Sequence, residues 1–183
     1  MLSHRHGYIA EDSCRIITWG KACCSLAKTM HIRKMTQADT PAIDAILRDV
    51  GHFPYFQKTP FEETIRTITT HLTMCLADNS HSMFVAENDD GVVVGYTAVH
   101  WIPYLLLKGP DGYVSELFVA ASERGKGIGA QLLEVVKAEG RQRGCSRLSL
   151  LNLRERESYQ RGFYKKQGWT ERENMANFVF PFD

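Results

Sequence analysis

A glycine-rich turn within residues 116–130, which read ELFVAASERGKGIGA, constrains this chain more than any other feature. The segment predicts a strand that ends in a turn and opens directly into a helix. The first backbone N–H groups of such a helix have no internal partner, and the helix dipole adds positive charge. Gly125, Gly127 and Gly129 leave the backbone open to close approach, while Arg124 and Lys126 add two positive charges. The segment therefore predicts an anion site whose natural guest is a pyrophosphate.

Three other interpretations compete for this turn. The phosphate-binding pattern GxxxxGK[ST] is missing, because no Lys-Ser or Lys-Thr follows a suitable glycine. Gly125, Gly127 and Ala130 fit the dinucleotide fingerprint GxGxxG/A. A doubly wound nucleotide fold would need further strand–helix–strand units, however, and here an antiparallel hairpin precedes the turn. The last interpretation is a tight turn that binds nothing.

The remaining sequence predicts one mixed domain in which antiparallel strands come first and a strand–helix–strand crossover follows. The turn Asn88-Asp89-Asp90-Gly91 predicts a hairpin, and Thr36 with Asp39 predicts a capping box before the first helix. Strands are predicted at 31–35, 82–87, 92–101, 113–119 and 147–153, with one or two more within 169–182. Helices are predicted at 40–50, 60–77, from the glycine turn to about residue 143, and at 158–167.

Length and charge limit the classes of protein that the chain can belong to. Its 183 residues suit one domain, and we expect residues 1–29 to be an extension before a domain at 30–183. Lys and Arg number 22 and Asp and Glu 21, so the net charge of +1 gives no global attraction to nucleic acid or to an anionic membrane. No apolar run approaches the roughly 20 residues of a membrane-spanning helix.

The cysteines and the first histidines predict neither disulfides nor a metal. The five cysteines (Cys14, Cys23, Cys24, Cys75 and Cys145) are odd in number and show no CxxC spacing, which favours free thiols in a reducing compartment, the cytoplasm. His4 and His6 lack further ligands nearby, so we expect a solvated tail and no metal site.

Arg124-x-x-Gly127-x-Gly129 resembles the coenzyme A pyrophosphate loop of the GNAT superfamily of N-acetyltransferases. The resemblance extends upstream to Glu116-Leu-Phe-Val and downstream to residues 163–169, FYKKQGW, which are similar to the family's FYxxxGF signature. It implies an α/β (α+β) fold with a mostly antiparallel twisted sheet of six or seven strands and about four helices. Strands 4 and 5 would splay apart to admit acetyl-CoA.

The resemblance also implies roles for the coenzyme-binding residues. Backbone groups of Leu117, Phe118 and Val119 would pair with the pantetheine arm, and the Leu117 N–H would polarise the thioester carbonyl. The pyrophosphate would bind to the backbone N–H groups of the turn, which are those of Arg124, Gly125, Lys126, Gly127, Ile128, Gly129 and Ala130.

The implied reaction is acetyl transfer to a primary amine by direct attack through a tetrahedral intermediate, without a covalent enzyme intermediate or a metal. Tyr164 matches the tyrosine that donates a proton to the coenzyme sulfur, although a packing role is the alternative. Glu116 is the base candidate, because it lies in the splaying strand next to the expected thioester position. Strand alternation groups it with Val114 and Phe118, which predicts a partly buried carboxylate. A substrate-binding or surface carboxylate is the alternative for Glu116, and His100 and Tyr104 are alternative bases.

The resemblance has one departure, and the acceptor stays open. Many members carry a coenzyme-contacting asparagine where this chain has Glu157, and Asn152 is the nearest substitute. Residues 52–56 and 100–107 would border the acceptor pocket, where their apolar content favours an acceptor with an apolar part. Glu62, Glu63 and Asp111 are candidate attractants for a cationic amine. As the acceptor, a peptide N-terminus, a lysine, a polyamine and a small amine all fit the sequence. The resemblance also fits a homodimer. A catalytically silent coenzyme-binding or protein-interaction module is the alternative function.

Overall fold

The computed structural model describes residues 30–182, whose strands form one five-stranded sheet in the order β1-β2-β3-β4-β5. The strands are β1 (His31–Lys34), β2 (His81–Glu87), β3 (Val93–Ile102), β4 (Asp111–Val119) and β5 (Arg147–Leu150). The first four strands pair antiparallel with their neighbours, and β5 pairs parallel to β4. The predicted mixed, mostly antiparallel fold is therefore confirmed.

Helices cover both faces of this sheet. They are α1 (Thr40–Val50), α2 (Pro54–Lys58), α3 (Phe61–Cys75), α4 (Ile128–Gln142), α5 (Glu157–Gln160) and α6 (Phe163–Lys166). Short 3-10 turns precede α1 and α4, at Gln37–Asp39 and Ala121–Glu123. The predicted contact between Thr36 and Asp39 is present, since the Asp39 carboxylate accepts the Thr36 backbone N–H at 2.7 Å.

The numbers of strands and helices differ from the prediction. The described residues form five strands and not six or seven, because residues 169–182 add none. They also form six α-helices where about four were predicted. Helix α2 was not predicted, because its five residues are too few to show a helical period. The helix predicted at 158–167 is two helices, because Gly162 adopts a left-handed conformation with φ of 64° and interrupts it.

Some predictions concern residues outside the described part of the chain. Residues 1–29, with His4, His6, Cys14, Cys23 and Cys24, belong to this group, so the division of the chain at residue 30 stays a prediction. Within residues 30–182, Cys75 and Cys145 are free thiols. No helix of this described part is both long enough and apolar enough to cross a bilayer.

The sheet separates two hydrophobic cores. Helix α4 covers one face, where its buried residues Ile128, Leu132, Leu133 and Val136 pack against apolar side chains of β2, β3 and β4. Helices α1 and α3 cover the other face, where Ile43, Ile46, Leu47 and Leu72 pack against Val85 and Tyr96. Strand β4 thus lies between the two cores. Side chains on one face of β4 pack against the α4 core, and side chains on its other face pack against the core under α1 and α3.

A buried polar network ties α1, α2 and α3 together beneath the second core. Asp44, only 1% exposed, pairs with Arg48 at 2.7 Å and accepts a hydrogen bond from Thr64 Oγ1 at 2.5 Å. Arg48 donates in turn to the carbonyl oxygens of Phe56 and Thr59. Since a buried charge is tolerated only where it is paired and hydrogen-bonded, this network fixes the position of α2.

We expect Thr64→Val to lower the free energy of unfolding by about 1–3 kcal/mol, because it leaves a buried Asp44 oxygen without its donor. Thr70→Val is the matched control, because Thr70 is exposed on the same helix and, among the described residues, its hydroxyl bonds to the Arg66 carbonyl alone. The control should change stability by less than about 0.5 kcal/mol. Urea denaturation measures both, and equal losses would show that the lost hydroxyl bond to a helix carbonyl, which both threonines make, is responsible, and not the buried hydrogen bond to Asp44.

Candidate functional site

Strands β4 and β5 pair over only part of their length and then separate. Their register runs from Asp111 opposite Arg147 to Val114 opposite Leu150. Strand β4 then continues to Val119, and no strand of residues 30–182 pairs with it on that side. The register between β3 and β4 shifts at the same point, so that Ser115 is an extra residue in β4. A bulge of this kind bends a strand and increases its twist. It lies where β4 leaves β5, and the predicted splaying of strands 4 and 5 is present.

A cleft of about 540 Å³ lies in the resulting wedge, and most of the predicted coenzyme-binding residues line it. Strand β4 contributes Leu117, Phe118 and Val119. The glycine turn and α4 contribute Arg124, Gly125, Gly127, Ile128, Gly129 and Ala130. The segment after β5 contributes Asn152, and α6 contributes Tyr164. Residues far apart in the sequence are therefore brought together at one cleft.

The glycine turn opens into α4 as the sequence predicts. Gly127 is the N-cap residue of α4, with φ of 83°, and Gly125 has φ of 80°. The first helical hydrogen bond runs from the Gln131 N–H to the Gly127 carbonyl, so the N–H groups of residues 128–130 have no partner within the helix. Arg124 lines the cleft nearby and holds the Val119 carbonyl through Nε at 3.2 Å.

Lys126, a predicted pyrophosphate contact, lies outside the cleft lining. Its ammonium group pairs with Glu123 at 2.9 Å, and the side chain is more than half exposed. Positive charge at the cleft also comes from Arg156 and Arg161, which flank α5 and line the cleft. Arg156 belongs to the polar run 154–159, from which the sequence predicts further coenzyme contacts, whereas Arg161 was not predicted. The density of arginine in residues 154–161 was the available signal, but it equally fits a solvated helix start.

Tyr164 presents a hydroxyl with no hydrogen-bond partner within residues 30–182. Its ring packs against Phe163 and Trp169, at centroid distances of 5.0 and 6.1 Å. Burial raises the pKa of the Tyr164 phenol above its ordinary value. The phenol therefore keeps its proton at neutral pH and can donate it into the cleft.

Asn152 also presents an unused donor to the cleft. Its Oδ1 accepts a hydrogen bond from Ser158 Oγ at 3.2 Å, which fixes the orientation of the amide. Its Nδ2 is buried and has no hydrogen-bond partner within the described chain. Because an unsatisfied buried donor is costly, this amide is suited to a ligand acceptor such as a carbonyl.

A second cavity of about 520 Å³ lies on the other side of β4, between the sheet, α1 and α3. Phe53, Ser115 and Phe118 line both cavities, so the two meet at the bulge of β4. Glu116 lines the second cavity and not the cleft. Its Oε2 accepts a hydrogen bond from Tyr96 at 2.6 Å, and no cation of the described chain pairs with it.

The sequence grouping of Glu116 with Val114 is wrong, because the extra residue Ser115 breaks the alternation of β4. Val114 packs in the core beneath α4, whereas Phe118 packs with the opposite core, on the side of Glu116. Val114 belongs instead with Leu117 and Val119, which pack against the α4 core. Strand periodicity alone could not show the bulge.

The alternative base residues and the candidate attractants for a cationic amine lie outside both cavities. His100 bonds to Ser115 Oγ at 2.9 Å and packs on His81, outside both cavities, and Tyr104 lies in the exposed loop after β3. Asp111 is buried in an ion pair with Arg147 at 2.8 Å, so its charge is already compensated. Glu62 and Glu63 are exposed in the first turn of α3. Residues 30–182 contain no cluster of three or more His, Cys, Asp or Glu suited to a metal ion.

Comparison with solved structures shows first that the architecture is a known one. A crystal structure of a Bacillus halodurans C-125 protein described as a transcriptional regulator superimposes with a TM-score of 0.70, at 22% identity, over 84% of this chain and all of that chain. At this identity the likeness shows the fold alone. Residues 40–169 also match the acetyltransferase (GNAT) family. Because this match spans well over half of the 183 residues, the chain belongs to the GNAT acetyltransferase family.

Two relatives at 30% identity carry different N-acetyltransferase names. The chain is 30% identical over 162 residues to an aminoglycoside N(6')-acetyltransferase type 1 of Stenotrophomonas maltophilia, a match that covers 86% of this chain and 97% of the relative. It is also 30% identical over 96 residues to the thialysine N-epsilon-acetyltransferase of Mus musculus, covering 51% and 56%. Both relatives are N-acetyltransferases, but their acceptors differ.

Proposed function

We propose that this protein transfers the acetyl group of acetyl-CoA to a primary amine by direct attack. One observation carries the proposal: two cavities meet at the bulge of β4, and each contains the groups that one of the two substrates requires. The cleft holds free helix N–H groups and the Tyr164 hydroxyl. The second cavity holds Glu116, a carboxylate that has no paired cation among residues 30–182.

Residues of the wedge fit coenzyme A in their chemistry. The N–H groups at the start of α4, with Arg124, suit the pyrophosphate, since a helix N-terminus favours anions. Arg156 and Arg161 add positive charge for the other phosphate. Along β4, alternate residues direct N–H and C=O groups toward the side that β5 leaves open, where the pantetheine amides can pair with them. The buried Asn152 Nδ2 offers one further donor.

Glu116 and Tyr164 supply the two proton transfers that the reaction needs. A primary amine with a pKa of about 10.4 is mostly ammonium at neutral pH, so it must lose a proton before its nitrogen can attack. Glu116 accepts that proton, directly or through water. The C–N bond forms first and gives the tetrahedral intermediate. As this intermediate collapses and the C–S bond breaks, Tyr164 donates its phenolic proton to the departing sulfur, and the second proton that the nitrogen loses returns to the Tyr164 phenolate through water. The products are an N-acetylated amine and coenzyme A as the free thiol.

The first experiment is thermal melting with acetyl-CoA, with NAD and ATP as controls. A ligand that is present at a hundred times its Kd adds about 2.7 kcal/mol of apparent stability, so acetyl-CoA should raise the melting temperature clearly. Released thiol is then measured with amine acceptors, beginning with the aminoglycosides and thialysine that name the relatives. Stabilisation by acetyl-CoA without turnover of any amine would favour the silent coenzyme-binding module. Stabilisation by NAD alone would favour a dinucleotide as the ligand of the glycine turn.

The cellular location of the protein and its kinds of partner are also proposals. The free thiols of Cys75 and Cys145 favour a reducing compartment, so we propose the cytoplasm. The near-neutral charge gives no reason to expect a nucleic-acid or membrane partner.

We expect Glu116→Gln to lower kcat/KM for the amine by about 100-fold, because the amide cannot accept the ammonium proton. The amide has the size of the carboxylate and can still accept the Tyr96 hydrogen bond, so folding and acetyl-CoA binding should not change. Steady-state kinetics across pH measures the effect, and acetyl-CoA melting shifts check the fold.

Glu62→Gln is the matched control, since Glu62 is an exposed carboxylate outside both cavities. A rise in KM at unchanged kcat in Glu116→Gln would assign Glu116 to ammonium binding alone. Activity equal to that of the control would remove both roles.

A further inference from the structure

The second cavity is mainly apolar. It contains a carboxylate, Glu116, that can pair with the ammonium group of an amine substrate. Glu116 is the only carboxylate among the described residues that line it. Its walls come from buried side chains of the core under α1 and α3, among them Met35, Leu47 and Leu72. Ile68 and Phe118 complete these walls beside Glu116. An occupant therefore meets a single anionic group and a large apolar surface.

The polar groups at the wall of this cavity are neutral or already bonded. Tyr55 Oη and Thr67 Oγ1 are hydrogen-bonded to each other at 2.8 Å and so link α2 to α3. Burial, reinforced by the charge of Glu116, raises the pKa of the Cys75 thiol, which is therefore uncharged at neutral pH. His71 is exposed and lines the cavity, but it carries no negative charge to attract a cation.

We infer that the acceptor is a primary monoamine whose remaining part is apolar, an inference that rests on the proposed function. Glu116 pairs with the single ammonium group at the point where the cavity meets the cleft. The apolar part then displaces water from the surfaces of Ile68, Leu72 and Phe118, which is favourable in proportion to the area buried.

A polycation fits the same cavity poorly. Each additional ammonium group would lose its hydration without gaining a carboxylate, and an uncompensated buried charge is strongly unfavourable. The nearest acidic residues of α3 do not help, because Glu62 and Glu63 are exposed outside the cavity. The cavity thus discriminates by charge number as well as by polarity.

The test compares four acceptors at saturating acetyl-CoA: 2-phenylethylamine, ethylamine, spermidine and kanamycin. We expect kcat/KM for 2-phenylethylamine to exceed that for each of the others by about tenfold or more. Ethylamine has the same ammonium group without the apolar part, while spermidine and kanamycin carry several ammonium groups. Faster turnover of spermidine or kanamycin overturns the inference and leaves the proposed function in place. No acetylation of any amine, with no stabilisation by acetyl-CoA, removes both.

Cys75 gives a second readout that does not depend on turnover. It lines the second cavity, whereas Cys145 packs in the opposite core near the end of α4. Alkylation by iodoacetamide, followed residue by residue with peptide mass spectrometry, should slow at Cys75 when 2-phenylethylamine and coenzyme A are present. The rate at Cys145 should not change. Equal rates at Cys75 with and without the amine would contradict binding in this cavity.

Thr67→Asp tests the single-charge requirement by adding a second carboxylate at the cavity wall. It should raise the ratio of spermidine to 2-phenylethylamine turnover by about tenfold. Thr67→Asn has the same shape without the charge, and Thr70→Asp places the charge on the exposed face of the same helix. Neither control should move the ratio. A shift of the same size in Thr70→Asp would attribute the effect to the general field of the protein and overturn the inference.

Discussion

Tyr164→Phe is expected to lower kcat by about 100-fold to 1,000-fold, with little change in the affinity for acetyl-CoA. The substitution removes one hydroxyl and retains the ring, which packs against Phe163 and Trp169. Since that hydroxyl bonds to no other residue within 30–182, its loss leaves no orphaned partner in the described chain. Stability should therefore be nearly unchanged, and the loss should appear in the chemical step.

The pH dependence separates an acid role from a structural one. Burial raises the pKa of Tyr164 above its ordinary value of about 10, so the phenol is protonated throughout the neutral range. If kcat decreases as the pH rises past about 8, the deprotonation of a group other than Tyr164 must cause the decrease. In Tyr164→Phe, activity should be restored in part by thioesters with a more acidic leaving thiol, because these need less protonation.

Tyr159→Phe is the matched control for this prediction. Tyr159 lies one turn away on α5, outside the cleft lining, and its hydroxyl donates to Glu171 at 3.0 Å. It should lose a small amount of stability and no activity. Equal kcat values for Tyr164→Phe and the unmodified protein would exclude Tyr164 as the acid.

Local patterns were sufficient for most of the fold. Helix α1 occupies the predicted residues 40–50, because its cap and apolar spacing agree, and the hairpin closes where Asn88 and Gly91 predicted a turn. The glycine turn before α4 was predictable for the same reason, since positive φ angles at Gly125 and Gly127 require glycine there. Each of these features is set by residues close together in the sequence.

The parts that failed depend on contacts between distant residues. The bulge at Ser115 follows from the pairing of β4 with β3 and determines that Glu116 faces the second cavity. Helix α2 is held by Arg48, which bonds to the Phe56 carbonyl from a different helix. Neither of these pairings leaves a periodic signal in the sequence.

Gly127→Asp is expected to weaken acetyl-CoA binding by about 100-fold, because it places a carboxylate at the start of α4, where the pyrophosphate would bind. A Cβ atom at this position meets no atom within 4 Å, so the side chain can begin without a clash. The aspartate would accept the free N–H groups of residues 128–130 and would repel the phosphates. Isothermal titration with acetyl-CoA measures the loss.

Two controls separate the charge from the backbone strain in this prediction. Gly127→Asn adds a side chain of the same size at the same φ of 83° without the charge, and it should retain most of the affinity. Gly91→Asp adds the same residue at a φ of 74°, again with no atom within 4 Å, but in the hairpin turn outside the cleft. Both aspartate variants should lose about 1–2 kcal/mol of stability from the left-handed conformation, whereas only Gly127→Asp should lose binding. If Gly127→Asp bound acetyl-CoA as tightly as Gly91→Asp does, the pyrophosphate would have to bind elsewhere, and the role proposed for the glycine turn would be wrong.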